Sequence, residues 1–504
     1  MVKRGLLTLS LAALMGGIAS AQTPTPQWRP AYHFTPEKNW TNDPNGLIYL
    51  NGKFQLYYQH NPFENKWGHM SWGHAESTDL VHWKHLHVAI PEVVTPDTTT
   101  FIYSGSAVLD RNNTSGFGKD GKPPIVAIFT ADKPKQHNES QYIAYSNDGG
   151  TSYKLYAKDP VIDLGMRDFR DPNVFWFEKT KMWIMTVSMV DQHQIRFYGS
   201  KNLKDWEKLS DFGPAGFTKN GWECPSLIPL PVDGNPKNIK YVLFVSAFGD
   251  HGPQMQYFVG DFDGKTLTNL NPADLHLRVD YGDCFYAAIA WRDAPQNKKI
   301  LLGWLTNGKP ETYPWKGQMS IPRDLSLHTT PGGIRLFQNP TTIISNSLSK
   351  YAKGAAVVKQ NLAVNGDTKL SGSSAINKNS YWIDAEIALG KSSKAGFYVA
   401  ASKDGSKKVE VGYDAEKQEL YINSTSTESA NKDQHNLNLS VPLKSRDGLV
   451  KLRILLDKSS LEVFGNAGEQ VISTMIYPDV DATGLSAFSS GKATIKSLKI
   501  WNMD

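Results

Sequence analysis

The chain has 504 residues, 40% of them hydrophobic and 20% charged, with a formal net charge of +5. That is ample apolar material for a large core, which excludes global disorder, and two cysteines in such a length exclude a disulfide-stapled scaffold. There is no Lys/Arg cluster of the kind a nucleic-acid groove needs, so no nucleic-acid partner is expected.

Residues 1–21 read as a signal peptide. Lys3 and Arg4 form a basic start, Leu6 to Ile18 an apolar stretch, and Ala19-Ser20-Ala21 a small-residue cleavage site before Gln22. The apolar stretch is too short to span a bilayer, and no other segment approaches about 18 uninterrupted apolar residues. A secreted or periplasmic protein without membrane insertion is therefore expected. Cys224 and Cys284 lie in Trp-Glu-Cys-Pro and Gly-Asp-Cys-Phe, contexts that place them at strand ends near a site.

Within residues 22–340, the expected first domain, residues 31 to about 340 carry a weak internal repeat. Ser77-Thr78-Asp79-Leu80-Val81-His82-Trp83 returns as Ser200-Lys201-Asn202-Leu203-Lys204-Asp205-Trp206, with a cousin at Ser146-Asn147-Asp148-Gly149-Gly150-Thr151-Ser152-Tyr153. Each copy follows a short strand-like run and supplies turn chemistry before an aromatic that can open the next strand. A strand, a turn and a further strand recurring with almost no helical periodicity is the pattern of propeller blades. About 310 residues at about 62 per blade makes five blades. Residues 341–355 are polar and Ser/Lys-rich, as suits a linker. In 356–504, alternating runs such as Lys408 to Tyr413, Glu419 to Ile422 and Val450 to Leu456 are separated by turns and predict an antiparallel sandwich. The predicted fold is all-β, a five-bladed β-propeller followed by a β-sandwich. Twelve of the 14 tryptophans precede residue 341, so the two parts are expected to differ in task.

A propeller lines its channel with the innermost strand of each blade, so acids distant in sequence can converge there. Three acidic motifs stand out: Trp40-Thr41-Asn42-Asp43-Pro44-Asn45-Gly46-Leu47, Arg167-Asp168-Phe169-Arg170-Asp171-Pro172-Asn173-Val174 and Trp222-Glu223-Cys224-Pro225-Ser226. Taken alone, Asp-Pro-Asn-Gly is a good turn sequence and Arg170/Asp171 a surface pair at a strand end. Glu223, enclosed by an aromatic, a thiol and a proline, is in surroundings that desolvate a carboxyl and raise its pKa. The cluster His82-x-x-His85-x-His87, with His69 and His74, lacks the local acid or thiol partners of a zinc set, so neither metal nor cofactor is expected.

Together with Tyr57 to Pro62, Trp67-Gly68-His69-Met70-Ser71-Trp72-Gly73-His74-Ala75, Ser104 to Val108, Pro314-Trp315-Lys316-Gly317-Gln318-Met319-Ser320 and Asp457 to Gly465, these motifs resemble glycoside hydrolase family 32 over nearly the whole mature chain. That family holds invertases, levanases and inulinases. The resemblance implies a retaining β-fructofuranosidase in which Asp43 is the nucleophile and Glu223 the acid/base. Asp171 would grip ring hydroxyls and stabilise the oxocarbenium-like transition state, with Arg170 keeping it ionised. Asn42, Gln59, Tyr103 and Ser104 would be polar contacts to the sugar, and Trp40, Trp67, Trp72 and Trp315 its apolar walls. Two positions depart from the family pattern: Tyr103 replaces Phe or Trp, and Cys284 in Asp280-Tyr281-Gly282-Asp283-Cys284-Phe285-Tyr286-Ala287 replaces an acid. Asp283, one residue away, would point to the other strand face. The expected activity is exo-acting release of fructose from levan or inulin, with cleavage of sucrose, by a monomer or weak homodimer. A secreted invertase and a fructosyltransferase are the nearest alternatives, and a non-catalytic fructan-binding protein the one from another class.

Overall fold

One turn chemistry builds the first three blades. Ser77, Ser146 and Ser200 each end the third strand of a blade, Ser71–Ser77, Asn138–Ser146 and Gln194–Ser200. The Oγ of each accepts the N–H two residues on, from Asp79 at 3.1 Å, Asp148 at 3.3 Å and Asn202 at 3.1 Å. That Asx side chain then accepts two more backbone N–H groups, from Val81 and His82, from Thr151 and Ser152, and from Lys204 and Asp205. Side-chain oxygens thus replace the ladder bonds lost where the chain reverses. The fourth blade does the same with Asp263, which accepts from Lys265 and Thr266 at 2.7 Å. Trp83 and Trp206, at the ends of two of these turns, pack partly buried against blade cores.

The computed structural model describes residues 24–503 apart from 251, 307–311, 352–356, 371–375, 377–378 and 425–437. The expected signal peptide lies outside these residues. Five antiparallel blades follow one another along the chain, and their innermost strands are Asn39–Leu50, Thr99–Leu109, Phe169–Phe177, Glu223–Val232 and Phe285–Ala290. Each of the five touches the inner strand of the blade before and after it, and the last touches the first, so they form a closed ring. A short segment after the fifth blade, Trp315–Lys316, pairs in parallel with Asn39 and Trp40 and fastens that closure. Gly317, at φ +94°, makes the approach possible, because a Cβ there would lie 2.2 Å from the Thr41 carbonyl oxygen.

The region expected as a linker carries two one-turn helices, Thr342–Ser345 and Leu348–Tyr351. Beyond it, two six-stranded antiparallel sheets pack face to face over one apolar core that includes Phe397, Val411, Ile454 and Val463. The alternating runs read from the sequence are the strands Val409–Asp414, Glu419–Asn423 and Leu449–Asp457.

Propeller and sandwich meet on a buried ionic network. The Arg323 guanidinium is fully buried; Nη1 donates to Asp280 Oδ2 at 3.0 Å, and Nη2 donates to Glu462 Oε2 and, at 2.8 Å, to Ser473 Oγ. Its plane lies over Phe285 of the propeller at 4.1 Å and Phe464 of the sandwich at 5.2 Å. Glu462 Oε1 also meets His33 Nε2 at 2.9 Å, and His33 Nδ1 meets Asp457 Oδ2 at 2.8 Å. Asp457 further accepts the backbone N–H of Ala31, Tyr32 and His33. Asp280-Tyr281-Gly282-Asp283 runs along the sandwich strand Gln470–Met475, so closely that a Cβ on Gly282 would fall 1.7 Å from the Ser473 carbonyl oxygen. The segment with the unusual Cys284 is therefore an interface segment, and Cys284 itself is a fully buried free thiol; Cys224 is also a free thiol, 5% exposed.

Burial alone would lower the His33 imidazole, but hydrogen bonds and charge from Asp457 and Glu462 outweigh it and raise it from 6.5 to about 9. Burial works against the Glu462 carboxylate, yet Arg323 and His33 hold it below its usual range. Removing one partner strands the rest. Glu462→Gln is expected to lower the unfolding free energy by about 3–5 kcal/mol in urea melts. His33 is raised, so its stabilisation is complete below pH 6.5 and disappears as pH climbs through about 9. The stability deficit of His33→Gln should accordingly be largest below pH 6.5 and shrink as pH rises from 6.5 to about 9, whereas a deficit constant with pH would show that the ring acts by packing alone.

Candidate active site

Every inner strand breaks register at one level of the ring. The irregularities fall between Thr41 and Pro44, Ile102 and Gly105, Arg170 and Asn173, Glu223 and Ser226, and Tyr286 and Ile289. Asp171, Cys224 and Ala287 within these breaks have φ of 66°, 49° and 53°. Pro172 and Pro225 sit there too, where the missing N–H removes no ladder bond. A regular strand sends consecutive side chains to opposite faces; a bulge re-aims one of them. As a result Asn42 with Asp43, Tyr103 with Ser104, and Arg170 with Asp171 all line one cavity of about 400 Å³. Asp-Pro-Asn-Gly is thus a break inside a strand and not a turn.

Asp43 Oδ1 accepts the Asn42 side-chain amide at 3.0 Å, and Oδ2 accepts the Ser104 hydroxyl at 2.6 Å. Asn42 is held in turn by Trp40 Nε1, at 2.8 Å. Asp171 Oδ2 accepts the backbone N–H of Cys224 at 2.9 Å, and the Cys224 thiol stands between the two acids, 3.5 Å from Asp171 and 3.6 Å from Asp43. Glu223 Oε1 accepts Arg170 Nε at 3.0 Å, while Oε2 accepts the Tyr286 hydroxyl. Arg170 Nη1 donates to Glu139 Oε1 at 3.0 Å and Asp168 Oδ1 at 2.8 Å, so one guanidinium organises three carboxylates. Gln59 is buried, and its amide donates to the Ile102 carbonyl at 3.0 Å.

Electrostatically the site is crowded with like charge. Burial first, then the charge of Glu223, raise the Asp171 carboxyl from 3.8 to about 7 against the pull of Arg170. Burial also raises Asp43, opposed by the Ser104 hydrogen bond and supported by the charge of Glu223. No set of three His, Cys, Asp or Glu side chains among the described residues is grouped to hold a metal ion. Three of the histidines weighed as ligands are engaged elsewhere: His74 with Gln55, His82 with Asp79, and His69 with Glu92.

Comparison with known proteins places this geometry in a family. Residues 33–340 match the model of the Glycosyl hydrolases family 32 N-terminal domain, and residues 348–502 that of the Glycosyl hydrolases family 32 C terminal. The chain belongs to glycosyl hydrolase family 32. It is 41% identical to a levanase of Bacillus subtilis over 98% of this chain and 73% of that protein. It is 36% identical to the extracellular exo-inulinase inuE of Aspergillus ficuum, over 97% of each. The crystal structure of an exo-inulinase from Aspergillus awamori superposes with a TM-score of 0.86 at 33% identity, covering 95% of this chain and 98% of that one.

In this family 32 β-fructosidase the cavity gathers ten of the twelve residues singled out from the sequence: Asp43, Asp171, Glu223, Trp40, Asn42, Gln59, Trp67, Tyr103, Ser104 and Arg170. Trp72 and Trp315 do not line it. Trp72 is fully buried, packs on Tyr57 and donates to the Tyr103 carbonyl, whereas Trp315 lies under Arg29 at 4.1 Å in the closing segment. Two expectations about charge also change. Arg170 forms its hydrogen bonds with Glu223, Glu139 and Asp168, and it does not keep the Asp171 carboxyl low. Trp222 faces a blade core and donates to Phe217, so the groups on Glu223 are a guanidinium and a phenol.

Sequence reasoning missed Glu139, Arg167, Asp168, Phe248, Tyr286 and Trp304 of the lining. Tyr286 lies two residues past Cys284, inside the segment that departs from the family pattern. Glu139 opens an outer strand and has no local signal at all. The raised Asp171 carboxyl gives a sign for stability. Its usual value is 3.8 and its folded value about 7, so ionising it in the fold costs nothing below pH 4, progressively more up to pH 7, and the full amount above. Asp171→Asn should therefore raise the melting temperature above pH 7 and leave it nearly unchanged below pH 4, as calorimetric scans can show.

Proposed function

We propose that this enzyme is a secreted, retaining, exo-acting fructan β-fructosidase that also splits sucrose. The observation that carries the reading is the convergence of Asp43 and Glu223 on one small cavity with Asp171 beside them, each on a different inner strand. A cavity of about 400 Å³ suits one sugar unit with its hydroxyl partners rather than a length of polymer, which favours attack at chain ends. The likeness to a levanase and an extracellular exo-inulinase supports a fructan substrate and export, and so does the signal-like segment 1–21.

In this scheme Asp43 attacks the anomeric carbon of a terminal fructosyl unit and forms an ester. Ser104 and Asn42 hold both of its oxygens, fixing the line of attack and lowering the basicity of the carboxylate. Glu223 gives a proton to the leaving oxygen and then takes one from the incoming water. Asp171 accepts hydrogen bonds from ring hydroxyls, and its charge develops its full effect as the ring becomes cationic. Asp132, in contact with Tyr103, and Glu139, on Arg170, keep the polar wall in place.

Asp43→Asn should lower kcat by about 10⁴-fold or more on every substrate; retention of a tenth of the rate would remove Asp43 as nucleophile. Glu223→Gln should cost about 10²–10⁴-fold on sucrose and far less on a fructoside whose leaving group needs no proton. Equal losses on both would remove Glu223 as the acid. A product time course on levan and inulin should show fructose alone from the start, first appearing as the β-anomer by NMR. Early oligosaccharides would exclude exo action, and an initial α-anomer would exclude retention.

A further inference from the structure

A second cavity, of about 430 Å³, lies between the propeller and the sandwich and is set apart from the catalytic acids. Its lining includes Arg278 and Arg335 from the propeller side and Lys417 and Lys444 from the sandwich side. The acid in the same lining, Glu469, is already paired with Arg446 at 2.8 Å. None of the four cations forms an ion pair with a described residue; the arginines are held by neutral groups instead. Arg278 Nη2 donates to the carbonyls of Pro253 and Gly282, and Arg335 donates to Asn271 Oδ1 and to the carbonyls of Ile334 and Gly332.

These bonds fix two guanidiniums in place without neutralising them. Arg278 Nε is buried and has no hydrogen-bond partner. Burial holds the Arg278 guanidinium below its usual value, although Asp280 and Asp283 pull it up from a distance. Asp280 is itself bound to Arg323, at 3.0 Å. Tyr281, with Arg278 5.2 Å above its ring, gives the cavity an aromatic wall. Four cations without an ion-pair partner among the described residues, gathered in one cleft, suit a ligand of at least two negative charges such as a tetrahedral oxyanion.

We propose that this interdomain cleft is a binding site for a phosphate-type oxyanion, either free phosphate or the phosphates of an anionic polymer. Because the four cations come from both domains, an occupant bridges them and adds its binding free energy to the junction. A polymeric occupant would retain the enzyme on a phosphate-bearing surface and leave the catalytic cavity open.

The test titrates the full mature chain with inorganic phosphate and with short polyphosphate by calorimetry, in chloride of constant ionic strength. The wild type is compared with Lys417→Gln/Lys444→Gln, which changes only exposed residues, and with Arg335→Gln. Saturable binding of at least one probe is expected, weakened about tenfold or more in the double variant, with unchanged sucrose hydrolysis. Tighter binding of inorganic phosphate identifies a free ion as the occupant, and tighter binding of polyphosphate a polymer. Failure of both probes to bind, or binding that the lysine substitutions leave intact, overturns the proposal.

Discussion

The active site depends on one constraint, that five strands round a common axis each present more than alternation allows. A regular inner strand would give the channel every second side chain, too few polar groups in too small a space. The break in register at one level of all five strands lifts that limit. Asn42 can then brace Asp43, and Arg170 can reach Glu223 while Asp171 faces the same cavity. The break needs residues that tolerate it, and the sequence places proline after Asp43, Asp171 and Cys224, with positive φ at the last two. The motif residues are therefore half chemistry and half backbone, and neither works alone.

Crowding acids in this way opposes folding, since Asp171 and Asp43 are both held above their usual values by burial and by the charge of Glu223. Arg170 relieves part of the repulsion by bonding to Glu223, Glu139 and Asp168 at once. The junction uses the opposite arrangement. There Arg323 and His33 alternate with Asp280, Glu462 and Asp457, so every buried charge has an opposite neighbour. Buried pairs of this kind contribute less to net stability than to register, because only one docking of sandwich on propeller satisfies them all. The two networks are linked through the strand Phe285–Ala290: Phe285 lies against Arg323, and Tyr286, the next residue, reaches Glu223. The sandwich thus fixes the strand that carries a partner of Glu223, the proposed acid/base.

The fold was legible because its repeat is written in local chemistry. Ser-x-Asx turns recur at the ends of third strands, and their hydrogen bonds lie within six residues of sequence. The three carboxylates were legible through their prolines and through family likeness. What stayed hidden is what depends on distance. Glu139 belongs to the site only because Arg170, 31 residues away, turns toward it. Trp222 adjoins Glu223 in sequence, yet it precedes the inner strand and its indole packs in a blade core.

The uneven distribution of tryptophan shows how far composition reaches. Twelve tryptophans in the propeller half do mark a different architecture, but they divide between two tasks. Trp40, Trp67 and Trp304 line the cavity, and Trp67 is 52% exposed at its rim. Trp72, Trp222 and Trp315 are almost fully buried and support the strands that carry the polar residues: Trp72 bonds to the carbonyl of Tyr103, and Trp315 locks the closing segment against Asn39. A large flat side chain serves both purposes for one reason, since it covers much area with little conformational freedom to lose. Which purpose it serves is decided by the strand face it occupies, and in this protein that face is reset at each break in register.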